Sequence, residues 1–447
     1  MQRTEREISY NVLNEIYNRG AFSNITIRKH LSDEDDKRRQ NFIRELVYGV
    51  LENDIYLEYI ISKSSKIKMK KIHKKILIIL KMGIYQIIFM DSVPDSAAVN
   101  ESVILTKKHG NKGSIAYVNG MLRNISRKKE EFKDLNIKDD AERISIKYSH
   151  PKWLVDKWIS EYGTDFTEDL ARANNENPSL NITVNTLKTD KEDLKNKLKK
   201  SGFEIRESDY SRDTLIIDNP FNISKNKHFI DGEFTIQDAS SALVAQVMNP
   251  LPGSTVIDLC SAPGGKAVHI AQKMDNRGRL ISRDIDEHKL ALIDENSKRM
   301  DTDIIETEIY DALDLDNSLI SSADYVLVDA PCSGLGLIRR KPEIKINKKK
   351  EDIKSLSSLQ YKILDNAKRY LKAGGILVYS TCTLGKDENL DIINRFLKEN
   401  PEFSKVSIKD EIDNDKDLDT LDEGYIELYP NIHHTDGFFI AKMQKQR

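Results

Sequence analysis

Apolar residues in the first third of the chain recur every three or four positions, the period at which side chains share one face of an α-helix. Pro94 interrupts this region, between two helical stretches. The pattern predicts an all-helical domain over residues 1–130, ended by the charged linker "SRKKEEFKDLNIKDD". The positions that carry it are Ile8, Val12, Leu13, Ile16 and Tyr17, then Phe42, Ile43, Leu46, Val47, Val50 and Leu51, then Ile72, Ile76, Leu77, Leu80, Ile84, Ile87 and Ile88.

The most apolar run of this region, "ILIILKMGIYQIIFM", contains Lys81. The run is shorter than the roughly 18 residues that a membrane-spanning helix needs. We therefore predict that it forms a buried helix, and we expect no membrane partner.

A mixed pattern follows over residues 143–230. It begins with "KYSHPKWLVDKWISEYG", which predicts a helix containing Trp153 and Trp158. The stretch "SLNITVNTL" alternates like a strand, "KEDLKNKLKKSG" is typical of a helix closed by Gly202, and "TLIIDN" predicts a further strand. Together these elements indicate a small α+β module.

Short apolar runs separated by helical stretches fill residues 231–447. The predicted strands are "TVIDLC", "RLISRD", "IIETEIY", "ADYVLVDA", "GILVYST" and "GFFIAKM". The first five alternate with helices, which favours a parallel sheet in a doubly wound, Rossmann-like α/β domain. The chain is thus expected to be multidomain.

Composition and charge indicate the compartment of the protein and the kind of partner it binds. A hydrophobic content of 39% and a charged content of 32% are typical of a soluble chain, and three cysteines are too few for a disulfide framework. We see no secretory leader and expect a cytoplasmic protein. Residues 1–130 carry 24 − 15 = +9 charges, whereas the remainder carries 46 − 57 = −11. This asymmetry indicates either a polyanion partner or merely a lysine-rich solvated surface.

The stretch "DLCSAPGGK", from Asp258 to Lys266, lies where the first strand of the third domain turns into a helix. Small residues and paired glycines there let backbone amides approach a ligand at the carboxyl edge of the sheet. The spacing matches neither G-x-G-x-x-G nor the P-loop, which disfavours a nicotinamide cofactor or a nucleoside triphosphate. A turn whose glycines serve packing alone remains the alternative.

Acidic residues follow the second and third strands. Asp284 ends the second strand, where a carboxylate is placed to accept hydrogen bonds from a ribose diol. Asp286 is better explained as a helix N-cap. Asp311 follows the third strand and either faces an adenine edge or is an ordinary loop aspartate in the acid-rich "DALDLD".

Two of the cysteines have matching positions. Cys332, in "DAPCSGLG", follows the fourth strand, and Cys382, in "STCTLG", follows the fifth. Neighbouring strands lie about 4.8 Å apart, so both thiols can open onto one crevice. Carbon 5 of a pyrimidine is a poor nucleophile, and a thiolate that adds to carbon 6 activates it towards an electrophilic methyl group. Asp329 is placed to hydrogen-bond the edge of the base.

These motifs resemble a known family. "DLCSAPGGK", "DAPCSGLGLIRRKPEIK" and "STCTLGKDEN" are similar to those of the RNA cytosine-5 methyltransferases that use S-adenosyl-L-methionine. "MGIYQIIFMDSVPDSAAVNESVILTKKHG", "YSHPKWLVDKW", "GEFTIQDASSALV" and "HHTDGFFIAKM" resemble one branch, the bacterial 16S rRNA methyltransferase B type. That branch carries an N-terminal NusB-like helical domain. The resemblance therefore covers nearly the whole chain.

The resemblance implies a role for each matching residue. Cys382 would be the nucleophile, and Cys332 would assist release of the product; in the related DNA enzymes the residue at Cys332 is the nucleophile instead, and the sequence alone leaves both assignments open. Asp284 would bind the ribose, Asp311 would lie near the adenine, and Asp329 would face both cofactor and base. The methionine and ribose end of the cofactor would be held by Cys260, Ser261, Ala262, Pro263, Gly264, Gly265 and Lys266.

The sequence departs from the family pattern at three positions. Ser261 replaces a common alanine, Thr383 replaces a common serine, and Lys341 replaces a frequent histidine. None of these changes removes a reacting group. His433 and His434 lack nearby ligands at metal-binding spacing, so we expect no metal.

The predicted substrate is 16S rRNA, naked or in an assembling small subunit, and we expect a monomer. Three other hypotheses remain: the same chemistry on a tRNA or another rRNA, an rRNA-binding or antitermination factor without activity, and a small-molecule methyltransferase. Retention of both cysteines and of Lys266 disfavours the inactive factor. The long extra N-terminal sequence disfavours the small-molecule enzyme.

Overall fold

The computed structural model describes residues 3–32 and 34–447. The chain forms two compact units. The first, here called the helical unit, comprises Met1–Glu176 and Ile338–Lys348; the second, here called the sheet unit, comprises Asn177–Leu337 and Lys349–Arg447. The sequence predicts three domains, and these two units divide the chain at other positions without testing that division. The predicted domain boundaries therefore stay a prediction.

The helices and strands have the following bounds. Up to residue 176 the helices are α1 Glu5–Arg19, α2 Ser23–His30, α3 Lys37–Glu52, α4 Asp54–Ser64, α5 Lys74–Phe89, α6 Asp95–His109, α7 Lys112–Arg127, α8 Asp140–Lys147, α9 Lys152–Tyr162 and α10 Thr164–Ala173. Later helices are α11 Lys191–Lys200, α12 Lys227–Ile230, α13 Ala239–Met248, α14 Gly265–Lys273, α15 Glu287–Met300, α16 Ile344–Asn347, α17 Lys350–Tyr370, α18 Leu390–Glu399 and α19 Pro430–His433. The strands are β1 Leu180–Val184, β2 Ile205–Glu207, β3 Thr214–Ile217, β4 Phe234–Ile236, β5 Thr255–Asp258, β6 Arg279–Asp284, β7 Ile305–Ile309, β8 Ala323–Asp329, β9 Leu371–Thr381, β10 Phe403–Lys405, β11 Tyr425–Leu428 and β12 Phe438–Lys445.

The helical unit is built around one apolar core. Most of the periodic positions of α1, α3 and α5 are fully buried in it, which confirms the predicted helical pattern. The charge of Lys81, in the apolar α5, is compensated by Asp54 and by Glu58, whose carboxylate oxygen lies 2.7 Å from Nζ. No helix among the described residues is long and apolar enough to cross a membrane.

A segment from much later in the sequence completes this unit. Residues 338–348 include α16, and their side chains pack into residues 1–176. The buried backbone amide of Ser23 donates a hydrogen bond to the Glu343 carboxylate, at 2.9 Å. Lys345 Nζ donates to the backbone oxygen of Glu52 at 2.8 Å and to Asn175 Oδ1 at 3.0 Å. Burial lowers the pKa of Lys345 to about 7.

The helix predicted over "KYSHPKWLVDKWISEYG" is confirmed as α9, Lys152–Tyr162, which contains Trp153 and Trp158. Only its start differs, because the first five residues of the predicted stretch lie before α9. Ser149 adopts a left-handed φ of 54°. The residue before a proline is sterically disfavoured in the helical region, so α9 begins after Pro151.

The sheet unit contains two sheets. The smaller is antiparallel, in the order β2–β3–β1–β4. The larger has the order β10–β12–β9–β8–β5–β6–β7, with β11 paired to β12. Strands β5 to β9 are parallel, whereas β12 is antiparallel to β9. The predicted doubly wound architecture with a smaller α+β module is thus confirmed, and the carboxyl ends of the parallel strands share one edge.

Candidate active site

The turn between β5 and α14 has a tightly folded backbone. The amide of Ser261 donates to the Arg283 carbonyl at 2.8 Å, and the amide of Gly264 donates to the Ser261 carbonyl at 2.8 Å. Gly264 has a φ of +95°, and a Cβ there would lie 3.0 Å from the backbone of Ile293. Glycine is therefore required at this position on both conformational and steric grounds.

The start of α14 is suited to an anionic group. No side chain caps this helix, so its first-turn amides, beginning at Gly265, have no side-chain acceptor. Gln237, from the turn before α13, lies beside Gly265, and its buried Oε1 lacks a hydrogen-bond partner among the described residues. Helix amides and a free amide oxygen fit the carboxylate and the ammonium of an amino acid.

Four carboxylates converge around the Cys260 thiol. Burial raises the pKa of this thiol well above its ordinary value, and the acids raise it further. Cys260 is therefore kept neutral. The four acids are Asp258, Asp329, Asp284 and Asp311.

The four acids differ in exposure. Asp258 is fully buried, and burial followed by the charge of Asp329 raises its pKa to about 7. Asp284 is largely buried at the end of β6, where its carboxylate accepts from the Asp286 amide at 3.1 Å. Asp311 is exposed and accepts from the amide of Leu313 at 2.9 Å, which stabilises its own turn.

Asp286 caps α15, accepting a hydrogen bond from the His288 amide at 3.0 Å, as its position in the sequence indicated. The acid-rich stretch after β6 therefore contains one capping residue, and Asp284 is left as the acid at the strand end.

Lys266 and Asp329 form an ion pair across the site. Lys266 Nζ lies 2.7 Å from one carboxylate oxygen of Asp329, and the Ser380 hydroxyl donates to the other at 2.7 Å. Burial alone would lower the pKa of Lys266, but the Asp329 carboxylate raises it above its ordinary value, and Cys382 lies close enough to raise it further. Lys266 is therefore a cation beside the Cys382 sulfur at neutral pH.

The structure brings Cys332 and Cys382 together, with their Sγ atoms 3.2 Å apart. The sheet register explains this approach, because Asp329 on β8 pairs with Ser380 on β9. The hydrogen bond to Cys382, burial and the charge of Glu388 all raise the pKa of Cys332 well above its ordinary value. Cys332 is therefore a protonated thiol.

A buried glutamate joins the two cysteine loops. One oxygen of Glu388 accepts from the amide of Ser333 and from the amide group of Gln360, both at 2.9 Å. Gln360 also donates to the Pro331 carbonyl at 3.0 Å, and the Ser333 hydroxyl contacts Thr383 at 2.6 Å. Because Glu388 follows Cys382 in sequence and Ser333 follows Cys332, these bonds fix one loop against the other.

Sequence reasoning missed this network. Glu388 lies within "STCTLGKDEN", which marked the family, but no role for the acid followed from the motif. Gln360 lies on α17 in a stretch without any motif. Its position as a polar residue on the apolar face of α17, among the buried Ile353, Ile363 and Leu364, is the signal that a sequence search could have used.

Close backbone contact explains one glycine of "DAPCSGLG". The amide of Gly437 donates to the Gly336 carbonyl at 2.9 Å, and the amide of Gly336 donates to the Cys382 carbonyl at 3.1 Å. A Cβ on Gly336 would lie 1.9 Å from the Gly437 oxygen, so no other residue fits. The backbone of "HHTDGFF" thus borders the thiol loops.

Comparison with known proteins gives the family. A family model described as 16S rRNA methyltransferase RsmB/F matches residues 245–444. The chain is 36% identical to the probable ribosomal RNA small subunit methyltransferase B of Bacillus subtilis, over 100% of both chains. It is 32% identical to the protein of the same name from Synechocystis, over 98% of this chain and 99% of the other.

The chain belongs to the ribosomal RNA small subunit methyltransferase B family. This methyltransferase also matches the NusB family model over residues 3–127 and an RsmF/B-like ferredoxin-like domain model over residues 150–224. The crystal structure of a methyltransferase homolog from Pyrococcus horikoshii is 29% identical, with a TM-score of 0.60, and covers 69% of this chain and 100% of its own. The family and the NusB-like domain expected from the sequence are confirmed.

Proposed function

We propose that this methyltransferase transfers the methyl group of S-adenosyl-L-methionine to carbon 5 of a cytosine in 16S rRNA, through a covalent bond between Cys382 and carbon 6. The observation that carries the proposal is the pair of thiols, 3.2 Å apart, beside the ion pair of Lys266 and Asp329. The small-subunit RNA named for the relatives supports the choice of substrate.

The residues of the turn after β5 fit the cofactor. When bound, S-adenosyl-L-methionine supplies an electrophilic methyl group on a cationic sulfur. The acids around Cys260 complement a cation, and the uncapped start of α14 complements its carboxylate. Asp284 would accept hydrogen bonds from the ribose and Asp311 would lie near the adenine. The turn that holds the methionine end comprises Cys260, Ser261, Ala262, Pro263, Gly264, Gly265 and Lys266.

Electrostatics favours Cys382 as the nucleophile. A thiolate, not a thiol, adds to carbon 6, so the attacking cysteine needs a nearby cation. Lys266 is charged and close to Cys382, whereas Cys332 is held as a thiol in the neighbourhood of Glu388. This difference supports the assignment that the family resemblance implied.

Asp329 would orient the base. Its carboxylate is held by Lys266 on one oxygen and by Ser380 on the other, so its direction is fixed before the substrate arrives. In this position it would accept a hydrogen bond from the N3/N4 edge of the cytosine and stabilise the base as carbon 6 is attacked. Lys266 therefore has two tasks, to fix Asp329 and to favour the Cys382 thiolate.

Cys332 would assist release. After methyl transfer, water would take the proton of carbon 5, and the electrons of that bond would re-form the double bond as the Cys382 sulfur leaves carbon 6 with its electron pair. A protonated Cys332, 3.2 Å from the departing sulfur, would donate a hydrogen bond to the thiolate as it forms. We further propose that the protein acts as a monomer in the cytoplasm, on free rRNA or on an assembling small subunit.

The proposal is tested on RNA directly. Purified protein, transcribed 16S rRNA and S-adenosyl-L-methionine carrying a labelled methyl group should give labelled RNA. Bisulfite sequencing of total RNA from a strain that lacks the gene should show one 16S cytosine that has lost its protection. Loss of protection in a tRNA instead would redirect the substrate, and no change at any cytosine would contradict the chemistry.

A further inference from the structure

The helical unit carries a run of lysines that the proposed catalytic mechanism does not use. Residues 63–75, between the end of α4 and the start of α5, contain seven lysines and no acidic residue. The lysine-rich run lies within a longer acid-free stretch, because no aspartate or glutamate occurs from residue 59 to residue 90. All seven side chains are exposed: Lys63, Lys66, Lys68, Lys70, Lys71, Lys74 and Lys75.

The lysines of this run have no acidic partners among the described residues. Among the described residues, none of the seven lysines makes an ion pair, whereas Lys81, further along α5, is paired with Asp54 and Glu58. Lys74 and Lys75 occupy the first turn of α5, where the helix dipole disfavours cations. Helix stability therefore does not explain this placement, but recognition of a polyanion does.

The backbone that presents the lysines is fixed. Ile72 is buried in the core of the helical unit, and Met69 packs against it. Ser65 Oγ lies 2.7 Å from the Tyr117 hydroxyl and accepts from the Ile67 amide at 2.9 Å. The lysines thus project from a folded platform rather than from a loose tail, and their charges are held together before any partner binds.

The chemistry of the side chains selects the kind of partner. The run has lysines but no arginine, tyrosine, phenylalanine or tryptophan. Lysine attracts a phosphate group as a single point charge. Recognition of bases uses the paired hydrogen bonds of arginine and the stacking of aromatic side chains instead. We infer that residues 63–75 form a sequence-independent surface for the phosphate backbone of RNA. This inference rests on the proposed function, since it names RNA as the partner.

The test compares two triple variants of the full-length protein. Lys68→Gln, Lys70→Gln and Lys71→Gln remove three charges from the run. The control, Lys298→Gln, Lys398→Gln and Lys416→Gln, removes three exposed lysines that are dispersed and make no ion pair among the described residues. Both variants change the net charge equally, so only the position of the charge differs.

Binding of a 16S rRNA fragment is measured at several potassium chloride concentrations. The lysine-run variant should bind about tenfold more weakly, and the slope of log affinity against log salt should fall by about 2 to 3, because fewer counterions are released. An unrelated RNA of equal length should show the same loss. The control should keep the wild-type slope, and both variants should keep wild-type cofactor affinity and the rate of methyl transfer at saturating RNA.

The outcomes separate this inference from the proposed function. A wild-type protein that neither binds nor methylates RNA overturns the proposed function. A wild-type protein that methylates RNA while both variants keep its salt slope overturns the surface alone. Loss of binding to vesicles of anionic phosphatidylglycerol, with RNA binding intact, would assign the run to a membrane and also overturn the inference.

Discussion

The loop after β5 and the loops after β8 and β9 occupy one edge of the same parallel sheet, and each contains a cysteine. The first loop surrounds Cys260 with carboxylates, whereas the other two bring Cys332 and Cys382 together near the Lys266 cation. The topology gives the three thiols equivalent positions, and their charged neighbours make them different. One loop is suited to a cationic cofactor, and the other pair is suited to covalent chemistry.

The largest expected effect comes from replacing these cysteines one at a time. Cys382→Ala should lower methyl transfer by about 10³-fold or more and leave no protein–RNA adduct, because the proposed nucleophile is gone. Cys332→Ala should still attack and then stall, so that a covalent RNA complex appears as a band of reduced mobility on a denaturing gel.

Cys260→Ala is the matched control, since it removes a thiol from the same sheet edge. It should form no trapped complex and keep most of the methyl-transfer rate. Trapping in Cys382→Ala alone would assign the nucleophile to Cys332. If Cys332→Ala and Cys382→Ala are both active, the two thiols only pack against each other and take no part in the reaction.

The acidic loop after β5 should make the stability of the protein depend on pH. Asp258 has a folded-state pKa of about 7, above the unfolded value of roughly 3.9. Its stability contribution is therefore fully present below pH 4 and is lost as pH rises to about 7. Asp258→Asn removes this pH-dependent loss. The stability of the variant relative to the wild type should therefore improve by up to about 4 kcal/mol between pH 4 and about pH 7.

Thermal unfolding from pH 4 to pH 8 provides the measurement, and Asp213→Asn provides a control of opposite sign. Burial alone would raise the pKa of Asp213, but His269 and Lys273 lower it. Asp213→Asn should therefore lose stability relative to the wild type above the unfolded pKa. Parallel curves for Asp258→Asn and the wild type would show that Asp258 is ionised in the folded state throughout.

The thiol loops should depend on their shared glutamate. Glu388→Ala leaves the buried Ser333 amide without its acceptor and leaves the Gln360 amide group only the Pro331 carbonyl, at a cost of about 2 to 3 kcal/mol. Glu388→Gln keeps an acceptor oxygen and should recover part of this loss. Calorimetric unfolding measures the effect.

Glu130→Ala is the control for Glu388→Ala, because Glu130 lies in an exposed pair with Lys133. This substitution should change stability little. Equal unfolding temperatures for Glu388→Ala and Glu130→Ala would mean that the thiol loops are held by their backbone alone.

The smallest effect separates two acids within the first region. Asp284→Ala should weaken binding of S-adenosyl-L-methionine about tenfold, or about 1.4 kcal/mol, through the loss of hydrogen bonds to the ribose. Asp311 is exposed and already engaged with the Leu313 amide, so Asp311→Ala should weaken binding less. Isothermal titration calorimetry distinguishes them, and equal losses would place both acids against the cofactor.

Local sequence patterns predicted the strands and the residues at their ends, which depend on residues close together in the chain. The apolar runs predicted β5 to β9 and β12, and the strand ends predicted which residues share an edge, because parallel strands align their carboxyl ends. The approach of Cys332 to Cys382 follows from the pairing of β8 with β9. The same reasoning started α9 five residues too early, because it overlooked that Pro151 keeps the preceding residue out of the helical region.

Long-range contacts lay beyond the sequence. Glu388 and Ser333 are 55 positions apart, and Gln360 donates to Glu388 and to the Pro331 carbonyl from a helix without a motif. Nothing in "RRKPEIK" predicted that Glu343 and Lys345 would be buried in the helical unit, because charged side chains ordinarily favour solvent. Such contacts depend on which surfaces meet after folding.

The segment 338–348 has a consequence for biosynthesis. Its partners Ser23 and Glu52 leave the ribosome near the beginning of translation, whereas Glu343 and Lys345 emerge roughly 300 residues later. At the usual rate of about 5 to 20 residues per second, the helical unit would wait at least some 15 seconds for its last component. During that interval the Ser23 amide lacks its Glu343 acceptor, and the nascent helical unit exposes backbone groups that the finished protein covers.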